Sequence, residues 1–109
     1  MEISFADTGL KALCGKPAVA RKRLGEACAR KLQARLADMS AAGNVRELVA
    51  GRPHPPRGER LGQFALELAG GARLVFEPAD DPVPREKDGS IDWSRVTSAR
   101  VIYVGDYHE

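Results

Sequence analysis

Glu2-Ile3-Ser4-Phe5 alternates polar and apolar positions, a period of two that predicts a short strand with one buried face. Asp7 or Thr8 can cap a short helix in which Leu10, Leu13 and Cys14 follow helical spacing, and Pro17 is expected to end it. A longer helix is predicted next, because Leu24, Cys28, Leu32, Leu36 and Met39 recur nearly every four residues and line up as one stripe. Arg23, Arg30 and Gln33 fall on its other faces, so the stripe reads as core packing. Ser40-Ala41-Ala42-Gly43 breaks the pattern, after which Asn44 and Glu47 have the spacing of a capping pair for a short helical turn through Leu48 and Val49.

From Gly51 to Arg60 the chain reads Gly-Arg-Pro-His-Pro-Pro-Arg-Gly-Glu-Arg, and neither a helix nor an interior strand can run through so many prolines and glycines. A loop is predicted there. Phe64, Leu66 and Leu68 then alternate with Ala65 and Glu67, Gly70-Gly71 signals a tight turn, and Leu74 and Phe76 alternate with Arg73 and Val75. In this β-hairpin, Arg73 must project from the face opposite Leu74 and Phe76. Val101, Tyr103 and Gly105 alternate with Ile102 and Val104 in a last strand that delivers Asp106-Tyr107-His108. Between the second and last of these strands, Pro78 to Arg95 reads as a long exposed connection anchored by Ile91 and Trp93. The expected architecture is α+β: a small, mainly antiparallel sheet with N-terminal helices on one face and an open concave face on the other.

A length of 109 residues with 43% apolar composition suits a single domain over 1–109, and 6% aromatic content predicts a core of Leu, Val, Ile and Ala. No stretch approaches the roughly 20 apolar residues needed to span a bilayer, and the first residues lack the pattern of a secretion signal, so a cytoplasmic protein without membrane contact is expected. Cys14 and Cys28 alone do not make a zinc site, and both are expected to be reduced and at least partly buried. The small net charge hides an asymmetry. Residues 1–60 carry 12 Lys/Arg against 6 Asp/Glu, whereas residues 61–109 carry 5 against 9. A fold that gathers the basic half on one side would face an anionic polymer, although basic helices are also common as plain solvated surface.

The two histidines, His54 and His108, lie in the Pro/Gly-rich loop and beside Tyr107 and Asp106 at the far end of the last strand. Arg57 and Arg60 are close to the first, and Arg73 lies on the hairpin face away from the core. Cleaving RNA without a metal requires a proton to leave a 2′-hydroxyl, negative charge on the phosphorane to be stabilised, and the departing 5′-oxygen to be protonated. Imidazole suits both proton transfers because histidine ordinarily titrates near neutrality. A guanidinium suits the charge, since its planar fork matches phosphate oxygens and stays protonated. Each residue also has an ordinary role open to it: a loop histidine on the surface, Arg57 and Arg60 paired with Glu59, a frayed terminus. Spacing alone leaves the cluster undecided.

His54-Pro55-Pro56-Arg57-Gly58-Glu59-Arg60 with Gly62-Gln63-Phe64, Ala72-Arg73-Leu74-Val75-Phe76, and Gly105-Asp106-Tyr107-His108 together resemble, in order, three motifs of the HigB-like (plasmid maintenance system killer) toxins of the RelE/ParE superfamily. The resemblance implies a RelE-like fold and the toxin of a type II toxin–antitoxin system. Its activity would be that of a ribosome-dependent, metal-independent endoribonuclease (mRNA interferase) that cuts messenger RNA and blocks translation. No cofactor is implied. The partners implied are the ribosome with bound mRNA and a cognate helix-turn-helix antitoxin. By the same resemblance His54 and His108 supply acid/base function, Asp106 and Tyr107 orient or assist, and Arg57, Arg60 and Arg73 bind the scissile phosphate. Arg57 and Glu59 stand where Lys and Asp are commoner in the family, and the acidic connection from Glu77 to Asp92 is longer than in the smallest relatives. That connection is expected to point away from RNA. The alternative within the same fold is a ParE-like gyrase inhibitor or a non-catalytic binding module; a DNA-binding repressor is disfavoured, because no helix-turn-helix signal flanks the sheet.

Overall fold

The computed structural model describes residues 1–56 and 62–106. Strand β1 (Glu2–Phe5) leads into helices α1 (Thr8–Gly15), α2 (Pro17–Leu24) and α3 (Glu26–Ala41) and a 3-10 turn at Val45–Glu47. Strands β2 (Phe64–Glu67) and β3 (Ala72–Pro78) form the hairpin, and a second 3-10 turn, Trp93–Arg95, precedes strand β4 (Ser98–Asp106). The sheet has the order β1-β4-β3-β2, with β1 parallel to β4 and the other pairs antiparallel. It is the α+β layout expected, built as a mixed sheet.

The helices depart from the expected pair in one respect. The Asp7 carboxylate accepts from the Leu10 N–H at 2.8 Å and starts α1, which ends at Gly15. Pro17 then opens α2 from the first helical position, where its missing N–H costs nothing. The single long helix predicted through Leu24 is cut at Gly25, whose φ of 85° a residue with a Cβ adopts only at a cost. Leu24 therefore closes α2, and α3 keeps Cys28, Leu32 and Met39 buried.

Leu13 and Leu32 from the helices meet Leu66, Leu74, Phe76 and Val101 from the sheet in one core, and all are buried. Trp93 joins it, with its ring centroid 4.8 Å from that of Phe64, so the long connection is anchored as its pattern predicts. At its base the Asp80 carboxylate accepts from the Thr97 N–H (3.0 Å), the Thr97 hydroxyl (2.9 Å) and the Ser98 N–H (3.0 Å). Burial alone would raise the Asp80 carboxyl, but these donors outweigh it and hold the group below the usual carboxylate range. No helix among the described residues is long and apolar enough to cross a membrane.

Candidate functional site

Side chains directly opposite each other in a ladder share a face, so the pairing register defines the sheet surface turned from the helices. His54 forms a bridge to Ala65, with its N–H donating to the Ala65 carbonyl at 3.1 Å and its own carbonyl accepting from Ala65 at 2.8 Å. Ala65 pairs with Val75 and Val75 with Tyr103. His54, Ala65, Val75 and Tyr103 thus form one row, spanning three strand spacings or roughly 14 Å. The next row holds Glu67, Arg73 and Gly105, and on the other side Glu77 faces Arg100 in an ion pair of 2.8 Å. The centre of this surface is small and apolar, since Ala65 and Val75 are fully buried, and its perimeter carries the chemistry.

A β-bulge decides which β4 residues belong here. Phe76 pairs with Val101 but Val75 pairs with Tyr103, so Ile102 is the additional residue. The expected alternation placed Val101, Tyr103 and Gly105 on one face. The bulge instead leaves Val101 in the core and moves Tyr103 and Gly105 to the face of Arg73. Gly105, with φ 154°, leaves room for the phenol: a Cβ there would lie 3.0 Å from the Tyr103 hydroxyl, which donates to the Asp106 carbonyl at 3.0 Å.

Of the residues singled out in the sequence, His54 and Arg73 share this surface, two strand spacings (roughly 10 Å) and one row apart. The His54 Nδ1 lies 2.5 Å from the Arg52 carbonyl. Arg73 donates from Nη1 to the Gly71 carbonyl at 2.8 Å, which orients its guanidinium along the hairpin end. Asp106 is not on the same face. It pairs with core-facing Ala72, and its Oδ1 would lie 2.9 Å from a Cβ at Gly71. There it lines a cavity of about 550 Å³ with Arg23, Leu24, Cys28 and the Gly70-Gly71 turn. Arg57, Arg60, Tyr107 and His108 lie outside the described residues.

Two residues given no role in the sequence reading stand at the site. Tyr103 was concealed by a bulge that leaves no mark in the local pattern. Arg52, in the loop motif but assigned nothing, ion-pairs through Nε with Glu67 at 3.1 Å. The acidic connection leaves β3 at Pro78, five residues or roughly 17 Å along the strand from Arg73. The cysteines are poor nucleophiles: burial pushes the Cys14 thiol up to about 11, and it also raises Cys28, against a hydrogen bond with the Ala69 backbone. What remains is an imidazole able to move protons, guanidinium groups able to hold a phosphodiester, and a phenol in the same row as the imidazole.

No protein-family model matches the chain, and no curated protein matches it. Among solved structures it is similar to the YoeB dimer from Staphylococcus aureus, with 14% identity, a TM-score of 0.59, and 100% of this chain and 98% of that one covered. It is also similar to a YoeB/ParE toxin from Agrobacterium tumefaciens, with 12% identity, a TM-score of 0.58, and coverage of 99% and 100%. At these identities the likeness concerns architecture, and it extends over the full length of both chains: the protein has the fold of the YoeB and ParE toxins.

Proposed function

We propose that this chain is the toxin of a type II toxin–antitoxin pair, of the HigB-like kind, and that it cuts messenger RNA on the ribosome as a metal-independent endoribonuclease in the cytoplasm. The observation that carries the reading is the common face of His54 and Arg73, in a fold shared with YoeB and ParE toxins. A phosphodiester over this face could meet a proton carrier on one side and a fixed cation on the other. His54 and His108 act as acid and base. Arg57, Arg60 and Arg73 neutralise the phosphorane and Tyr107 orients or assists, whereas Asp106, turned to the other face of β4, takes no direct part. A cognate helix-turn-helix antitoxin holds the toxin inactive.

The nuclease reading is favoured over gyrase inhibition because an imidazole pair serves proton transfer, for which gyrase poisoning has no use. The test is induced expression with mapping of messenger 5′ ends, comparing the natural chain with His108→Ala and Arg73→Ala. New 5′ ends in the natural chain that fade in both variants support the proposal. Unchanged cleavage in both overturns the site, and inhibition of gyrase supercoiling without messenger cleavage selects the alternative.

A further inference from the structure

Among the described residues, Arg52 is the one non-glycine residue with a left-handed backbone, at φ 48°. A side chain with a Cβ occupies that region at a cost and persists there when its surroundings over-determine it. Gly51 before it is also left-handed, at φ 86°, and is required to be glycine: a Cβ would meet Arg35 Cδ at 2.9 Å and the Glu67 carbonyl oxygen at 3.2 Å. These two residues bend the chain against the edge of β2. The Gly51 carbonyl accepts from the Glu67 N–H at 2.7 Å, and the Arg52 guanidinium reaches the Glu67 carboxylate at 3.1 Å. Two residues later both backbone groups of His54 are paired with Ala65.

The product of this bend is the direction of one carbonyl. Arg52 C=O points at His54 Nδ1, 2.5 Å away. A carbonyl oxygen can only accept, so Nδ1 must carry the hydrogen, and in the neutral ring the lone pair then belongs to Nε2. We propose that Arg52 is a positioning residue: its left-handed backbone, held by the ion pair to Glu67, fixes the His54 ring in the Nδ1–H tautomer and makes Nε2 the nitrogen that exchanges protons. The role of that proton in RNA cleavage rests on the nuclease reading. The tautomer itself does not.

The experiment is long-range proton–nitrogen NMR on the full chain labelled with 15N-histidine, above the pH at which imidazole titrates, with His108→Gln assigning the two rings. The expected signature for His54 is a protonated, pyrrole-type Nδ1 and a pyridine-type Nε2; the reverse pattern overturns the proposal. Arg52→Lys, which keeps a cation facing the Glu67 carboxylate, is expected to keep that signature. Arg52→Val, whose β-branched side chain does not tolerate the left-handed region, is expected to lose it to the Nε2–H form; retention in the folded variant removes Arg52 from the role. Should Arg52→Val fail to fold, Glu67→Gln takes its place, because it deletes only the ion pair. A rise in the Nε2–H form supports the proposal, and an unchanged tautomer overturns it. A natural chain that cuts no messenger but shows the Nδ1–H ring refutes the nuclease reading alone, whereas messenger cleavage with an Nε2–H ring refutes only the positioning role.

Discussion

On the helix side of the sheet, Leu66, Leu74, Phe76 and Val101 are fully buried against Leu13 and Leu32, and the side chains that meet there are apolar. On the other side, among the described residues, only Ala65 and Val75 are buried to that degree, and around them stand His54, Arg73, Tyr103 and the Glu67–Arg52 and Glu77–Arg100 ion pairs. The first surface stabilises the fold by removing hydrocarbon from water. The second contributes little of that and instead holds polar groups at set distances. Substitutions on the two faces should therefore separate, with stability responding on one and activity on the other.

The largest effect on that division is expected from Phe76→Ala. It empties a fully buried site and should cost about 3–5 kcal/mol in chemical denaturation. A loss below about 1 kcal/mol would mean that the helix-side core is not what stabilises the sheet. Arg73→Ala should show the converse: messenger cleavage falls by roughly a hundredfold, as for one lost charge-stabilising donor, with unfolding free energy changed by less than about 1 kcal/mol. Gly105→Ala tests the boundary between the faces. It places a Cβ 3.0 Å from the Tyr103 hydroxyl at a glycine-type φ, so both stability and cleavage should fall, the former by roughly 1–3 kcal/mol.

Asp80→Asn acts at the far end of the sheet and through pH. The folded-state pKa lies below the ordinary value of 3.8, so its contribution is present above that value and is lost as the pH falls through the lowered one. The natural chain should accordingly lose stability below about pH 4, and Asp80→Asn should be less stable at neutral pH with a flatter acid limb. An acid limb identical in both proteins would show that the carboxylate clamp on Thr97 and Ser98 adds nothing. The smallest effect is expected from Glu77→Gln, roughly 0.2–1 kcal/mol, because its ion pair with Arg100 is partly exposed; a double-mutant cycle would measure it.

Wherever a single segment decided the outcome, the sequence was legible. The period of two in β1, β2 and β3, the stripe of α3, the Asp7 and Asn44 caps and the Gly70-Gly71 turn all state which backbone each segment adopts, since propensity and burial act within a few residues. The same locality explains why Gly25 was passed over: the stripe from Leu24 to Met39 continues in phase across it, and only the packing of α2 against α3 required the left-handed turn. Of the candidate site, the side to which Arg73 turns followed from alternation within one strand.

Tertiary structure alone settled the rest. The parallel pairing of β1 with β4 joins segments nearly a hundred residues apart, the bulge at Ile102 puts Tyr103 on the face opposite Val101, and the bridge from His54 to Ala65 brings a Pro/Gly-rich loop to the sheet edge. Each is a hydrogen-bond register between distant segments, and a shift of one residue leaves composition and local periodicity unchanged while turning every side chain to the opposite face. The chain thus names its strands and its reactive groups in its own order, and the ladders between strands determine which of those groups meet.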